Sequence, residues 1–173
     1  MKTSQPVLLK GAETKIAINT SILLSFFARK KGPILFYSYP EKALIQSELM
    51  NITQNMEQAF KKEFFILQSS TIPTSLNYYF EIPSEWARGK KEMLLISIII
   101  NKPITQIIED IVKPICLDFV TQLNDDENSF KAIYYNEIDK FPEKDKVEIK
   151  MYSDGLKERI KQLYILLIQS LQF

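Results

Sequence analysis

The stretch that decides the fold is Met93-Leu94-Leu95-Ile96-Ser97-Ile98-Ile99-Ile100. It is eight residues with a single small polar side chain, Ser97. A membrane-spanning helix needs about 20 apolar residues, so this run is far too short to cross a bilayer. Its isoleucines are stiff at χ1 and favour a strand. Strand side chains alternate between faces. Leu94, Ile96, Ile98 and Ile100 then share one face, and Met93, Leu95 and Ile99 the other. Neither face is polar, so the run reads as a central strand covered on both sides. Burying its seven apolar side chains is worth at most roughly 10–20 kcal/mol. The rest of the chain must therefore supply helices for two sheet faces.

A second run of this kind, 16–28, ends in Ser21-Ile22-Leu23-Leu24-Ser25-Phe26-Phe27, apolar on both faces. Arg29-Lys30-Lys31-Gly32-Pro33 follows, and Gly-Pro marks a turn. Residues 34–39 are strand-like again, so the two runs form a hairpin. The three cations at its tip read either as a solvated turn or as a contact site. Pro40 suits the first position of a helix, and Ile45, Leu49, Ile52, Met56 and Ala59 recur at helical spacing, predicting a helix to about Lys62.

Residues 64–68 and 76–82 read as two further strands. In the second, Leu76, Tyr78, Phe80 and Ile82 form the core face, and Asn77, Tyr79 and Glu81 the more exposed one. The charged loop 83–91 carries the one tryptophan, Trp86, and Arg88, and leads back into the central strand. A loop tryptophan is either folded onto the body or exposed at an interface.

Pro103 opens a second predicted helix with the stripe Ile104, Ile107, Ile108, Ile111, Ile115, Phe119 and Leu123, and Pro114 should kink it. Cys116 lies beside the stripe and reads as a small buried residue. Residues 124–129 read as an acidic loop and 130–141 as a short helix, while 142–150 give no clear pattern. Ser153 or Asp154 is placed to cap a last helix striped by Leu156, Ile160, Leu163, Leu167 and Leu171.

Composition narrows function. Lys plus Arg is 22 and Asp plus Glu 21, a balance that offers no basic field to nucleic acid. The chain has no histidine, which excludes His-dependent triads and His-ligated zinc. Its four glycines are too scattered for a P-loop or dinucleotide fingerprint. One cysteine rules out an internal disulfide and fits a reducing, cytoplasmic setting. No run is long enough for membrane insertion. The carboxylates Glu109-Asp110 and Asp125-Asp126-Glu127 lack calcium-loop spacing and read as a solvated acidic surface. No cofactor, metal or catalytic residue is expected.

Two hairpins and two doubly apolar runs predict an α+β fold. It is an α-β-α sandwich with a five-stranded antiparallel sheet in the order 2-1-5-4-3, one helix on one face and two on the other. Residues 1–14 are expected to be a flexible tail and 15–173 one domain.

This order of elements, with the local run Leu24-Ser25-Phe26-Phe27-Ala28-Arg29-Lys30-Lys31-Gly32-Pro33-Ile34-Leu35-Phe36-Tyr37-Ser38-Tyr39-Pro40, resembles the longin fold of the profilin-like group, and in particular the longin modules of DENN and folliculin-type regulators of small GTPases. The resemblance implies a non-catalytic protein-interaction module. Its partners would be a small GTPase, or another longin or roadblock-type protein, in vesicle-trafficking complexes. It also implies pairing of two copies through a sheet edge or the first helix. By position, Arg29, Lys30, Lys31, Trp86 and Arg88 are the candidate partner contacts. The alternative is a PAS-like ligand sensor, which shares a similar strand order but leaves one sheet face free.

Overall fold

A computed structural model describes residues 20–59, 61, 63–70 and 72–172. Strands β1 (Thr20–Ala28), β2 (Gly32–Tyr39), β3 (Phe64–Leu67), β4 (Ser75–Pro83) and β5 (Lys91–Ile100) form one antiparallel sheet in the order β2-β1-β5-β4-β3. β5 is central, as its apolar character on both faces requires. Ile22 lies opposite Ile98 on one side of the ladder, and Leu76 lies opposite Ile98 on the other. The expected tail, and positions 16–19 of the first run, lie outside the described residues.

Alternation along β1 and β5 sorts the core. Ile22, Leu24, Ile96 and Ile98 pack with Val112, Phe119, Ile160 and Leu163, which belong to helices α2 (Gln106–Asp125) and α3 (Glu143–Ser170). Leu23 and Ile99 point the other way and pack with Ile52 of helix α1 (Gln46–Gln54). Leu95 and Tyr79 pack with Met56 in the 3-10 turn Asn55–Gln58 that continues α1.

Several boundaries differ from the sequence reading, each for a local reason. Pro40 does not open α1. The Tyr39–Pro40 peptide is cis, and Lys42 has φ 63°, a left-handed conformation that cannot continue a helix. The helix begins only after Ile45, whose N–H donates to the Glu48 carboxylate at 3.0 Å. It stops at Gln54, and Ala59 is already extended. Helix α2 starts later than Pro103, after Thr105, whose hydroxyl accepts from the Ile108 N–H. It runs past Pro114 as one element, and Ile107, counted in its stripe, is exposed.

The second face of β4 is not exposed. Asn77 is fully buried and donates to the Ser75 hydroxyl at 2.9 Å. Tyr79 is buried against Met56.

The largest correction concerns the last helix. It begins at Glu143 and has 28 residues, so 143–150, which gives no clear pattern in the sequence, is helical. Its buried positions run Ile149, Ser153, Leu156, Ile160, Leu163 and Leu167. Ser153 and Asp154, the two candidate caps, both lie inside the helix, and Ser153 is a stripe position with no accessible surface. The 3-10 segment Ser129–Lys140, where a short helix was expected, connects α2 to α3 and packs Phe130, Ala132 and Ile133 into the core.

Candidate functional site

The strand order brings two distant loops together. β1 and β4 both flank β5 and both run antiparallel to it, so they leave the sheet at the same end. β1 ends at Ala28 and hands over to Arg29, Lys30 and Lys31. β4 ends at Pro83 and hands over to the loop of Trp86 and Arg88. The segment Ser129–Lys140 closes a third side. Between them lies a cleft of about 560 Å³ whose lining includes all five residues singled out from sequence.

Backbone geometry holds each loop. The Lys31 N–H donates to the Ala28 carbonyl at 3.1 Å, and Gly32 follows at φ +75°, a conformation that costs other residues about 1–2 kcal/mol. In the second loop the Ser84 N–H donates to the Lys90 carbonyl at 3.0 Å, and the Ala87 N–H donates to the Ser84 hydroxyl at 3.1 Å.

Glu92, at the start of β5, ties this loop to the third wall. It is buried, and its Oε1 accepts from the Ser84 hydroxyl at 2.8 Å and from the Tyr134 hydroxyl at 2.6 Å. Burial, and next the bond to Glu92, push the Tyr134 phenol above its ordinary value.

Trp86 belongs to the body. It stacks on Phe141 at 4.8 Å and meets Phe130 and Tyr134 edge-on, both at 5.2 Å. The Lys131 ammonium lies 5.8 Å from its ring centre. Trp86 is thus half-buried and forms a wall of the cleft, with its ring already packed.

The cations differ in what they face. The lining carries Arg29, Lys30, Lys31, Arg88, Lys91 and Lys140 against Glu81, Glu92 and Glu137. Lys91 pairs with Glu81 and Lys140 with Glu137, each at 2.9 Å. The Lys140 hydrogen bond, with smaller contributions from Lys31 and Lys30, holds the Glu137 carboxyl below its usual range. Among the described residues, Arg29, Lys30, Lys31 and Arg88 have no ion pair, and all four are exposed. Beneath them the apolar lining is Phe26, Ile34 and Ile133 on the face covered by α2 and α3, while Met93, which retains 37% of its exposure, lines the cleft from the opposite face of the sheet.

Met93 corrects a detail of the opening stretch: one of its seven apolar side chains does meet solvent. Sequence reasoning also missed Glu92, Tyr134 and Lys140. A carboxylate opening an otherwise apolar strand was a signal for Glu92. Tyr134 and Lys140 carried none, since their place depends on how Ser129–Lys140 crosses the sheet end.

Chemically the cleft can hold anions against its rim and apolar groups on its floor. The cysteine lies elsewhere: Cys116 is in the core, and burial pushes its thiol up to about 12. Among the described residues there is no group of three potential metal ligands, and no helix long and apolar enough to cross a membrane.

Fold and site together define a five-stranded antiparallel α+β domain with a cationic cleft at one end of its sheet. No protein-family model and no curated protein matches the chain.

Proposed function

We propose that this chain is a non-catalytic protein-docking module that receives its partner at the cleft. The observation that carries this reading is the convergence of two loops, 57 positions apart from Arg29 to Trp86 (86 − 29), on one cleft with four cations that make no ion pair among the described residues. Exposed arginines and lysines outside close ion pairs steer and orient an acidic surface, and an apolar floor beneath them adds contact area. The resemblance to longin modules supports a small GTPase, or another longin or roadblock-type protein, as the partner in a cytoplasmic trafficking complex. Self-pairing belongs to the same reading, because the edge strand β2 carries no charged side chain to discourage it.

The test is a pull-down with small GTPases of the host, each loaded with GDP or a GTP analogue. A specific GTPase should be retained by the native chain and lost by the charge-reversed variant Arg29→Glu/Lys30→Glu/Arg88→Glu. Retention that ignores the reversal, or no GTPase retained in either state, would end this reading. Light scattering at micromolar concentration checks the self-pairing.

The cleft volume also favours a second reading, a small-ligand sensor of the PAS-like kind, since about 560 Å³ falls within the usual range for ligand pockets. However, helices pack against both sheet faces here. Native mass spectrometry of purified protein decides: a bound small molecule supports the sensor, and bare protein opposes it.

A further inference from the structure

The cleft is more selective than its charge alone requires, and this selectivity points to a chemical class of partner segment. Resting on the docking reading above, we propose that the cleft binds an extended acidic peptide segment bearing one apolar anchor side chain. Its carboxylates would meet Arg29, Lys30, Lys31 and Arg88, while the anchor enters between Ile34, Trp86 and Ile133.

Three features of the site lead there. First, the four cations that make no ion pair among the described residues sit on two separate loops, so the positive charge is spread around a rim. Several carboxylates spaced along a peptide match that spread, and an arginine can take a carboxylate through two parallel hydrogen bonds. Secondly, the interior is not cationic. Glu92 is buried there, and Glu81 and Glu137 already take Lys91 and Lys140. A triphosphate that entered would bring concentrated charge towards the Glu92 carboxylate, a repulsion that selects against it. An uncharged side chain entering at the same point meets no such penalty. Thirdly, Ile34 and Trp86 line the cleft on the same sheet face as the buried Phe26 and Ile133 and are themselves only partly buried. Covering them is the favourable term that rewards an apolar anchor.

The volume sets the scale. At about 560 Å³ the cleft admits a few side chains, so the recognised unit is short. Affinity should accordingly be modest and strongly salt-dependent, with rim charges acting mainly on the association rate.

The experiment uses the whole chain and a fluorescein-labelled peptide with two acidic residues on each side of a central leucine. Anisotropy gives affinity, and Trp86, the only tryptophan and a cleft wall, gives a label-free signal. Arg29→Ala/Arg88→Ala should weaken binding about tenfold or more, with an unchanged thermal melt, because both side chains are exposed. Replacing the central leucine by serine should weaken it several-fold, and tripolyphosphate should compete only at far higher concentration than unlabelled peptide. Equal binding of the leucine and serine peptides would overturn the proposal, as would efficient competition by tripolyphosphate, which would mark a phosphate site. A GTPase captured in the pull-down and still held by Arg29→Ala/Arg88→Ala would also overturn it, while leaving the docking module itself standing.

Discussion

Tyr134→Phe is the sharpest test of how the cleft is built, because it removes one oxygen and leaves the ring contacts in place. The phenol donates to Glu92 Oε1 at 2.6 Å, and that same oxygen accepts from Ser84 at 2.8 Å. Through Ser84 the bond reaches the loop that carries Trp86 and Arg88. Hydrogen bonds to a charged group contribute about 1.5–3 kcal/mol, more than neutral ones. The cleft is open, so water replaces part of the lost bond, and a cost of about 2 kcal/mol is expected. Phenylalanine keeps the ring packing on Trp86 and Phe141, at 5.2 and 5.6 Å, so no cavity adds to this figure. For a domain of this length about 2 kcal/mol corresponds to roughly 4–8 °C in Tm. Urea denaturation and a thermal melt measure it directly. The cycle with Glu92→Gln isolates the pair, and a coupling above about 0.5 kcal/mol is expected for residues in contact. A Tyr134→Phe variant within about 0.3 kcal/mol of the native chain, with no coupling to Glu92, would refute the clamp.

Three further outcomes follow from single features. Ser153→Ala should stabilise by roughly 0.5–1.5 kcal/mol, since the hydroxyl is fully buried in α3 without a hydrogen-bond partner among the described residues and alanine is the better helix former; denaturant midpoints check this. Gly32→Ala should cost about 1–2 kcal/mol, because φ +75° is left-handed, although a methyl group there meets no atom within 4 Å; the same titration reads it. Stability should fall in alkali. Cys116 is raised from 9.0 to about 12 by burial, and Tyr37 from 10.0 to about 12 by burial and its bond to Glu41. The unfolded chain therefore releases these protons first. The contribution is whole below pH 9 and is lost as pH rises towards 12, by up to about 1.4 kcal/mol per unit for the buried Cys116 and by less for the partly exposed Tyr37, where solvent screens the effect. Cys116→Ala should flatten the fall between pH 9 and 10, as measured by denaturation across that range.

What was legible in the sequence was whatever burial on two faces forces. Met93–Ile100 and Ile22–Phe27 had no polar face to offer water, so they had to be neighbours in the middle of the sheet, and the remaining strands had to lie outside them. Two polar residues that sit in the core, Asn77 and Ser153, have no signature of burial in the sequence pattern. Asn77 looked like an exposed face and is buried with its amide bonded to Ser75. Ser153 looked like a cap and occupies a core position midway along a helix, which hid the first ten residues of α3 (143 to 152). The same divide runs through the site. The strand order alone puts the turn after β1 beside the loop after β4, so the meeting of Arg29 with Arg88 follows from topology that periodicity already implied. The charge pattern inside the cleft does not follow from it. Whether Glu137 neutralises Lys140 or faces Lys31, and whether Tyr134 reaches Glu92, depends on a twelve-residue 3-10 segment with a non-helical residue, Glu137, within it. Such a segment has no single side-chain period, so hydrophobic patterning cannot place its polar groups. The positions of Tyr134, Glu137 and Lys140 in the cleft are therefore set by the path of Ser129–Lys140, which the strand pattern leaves open.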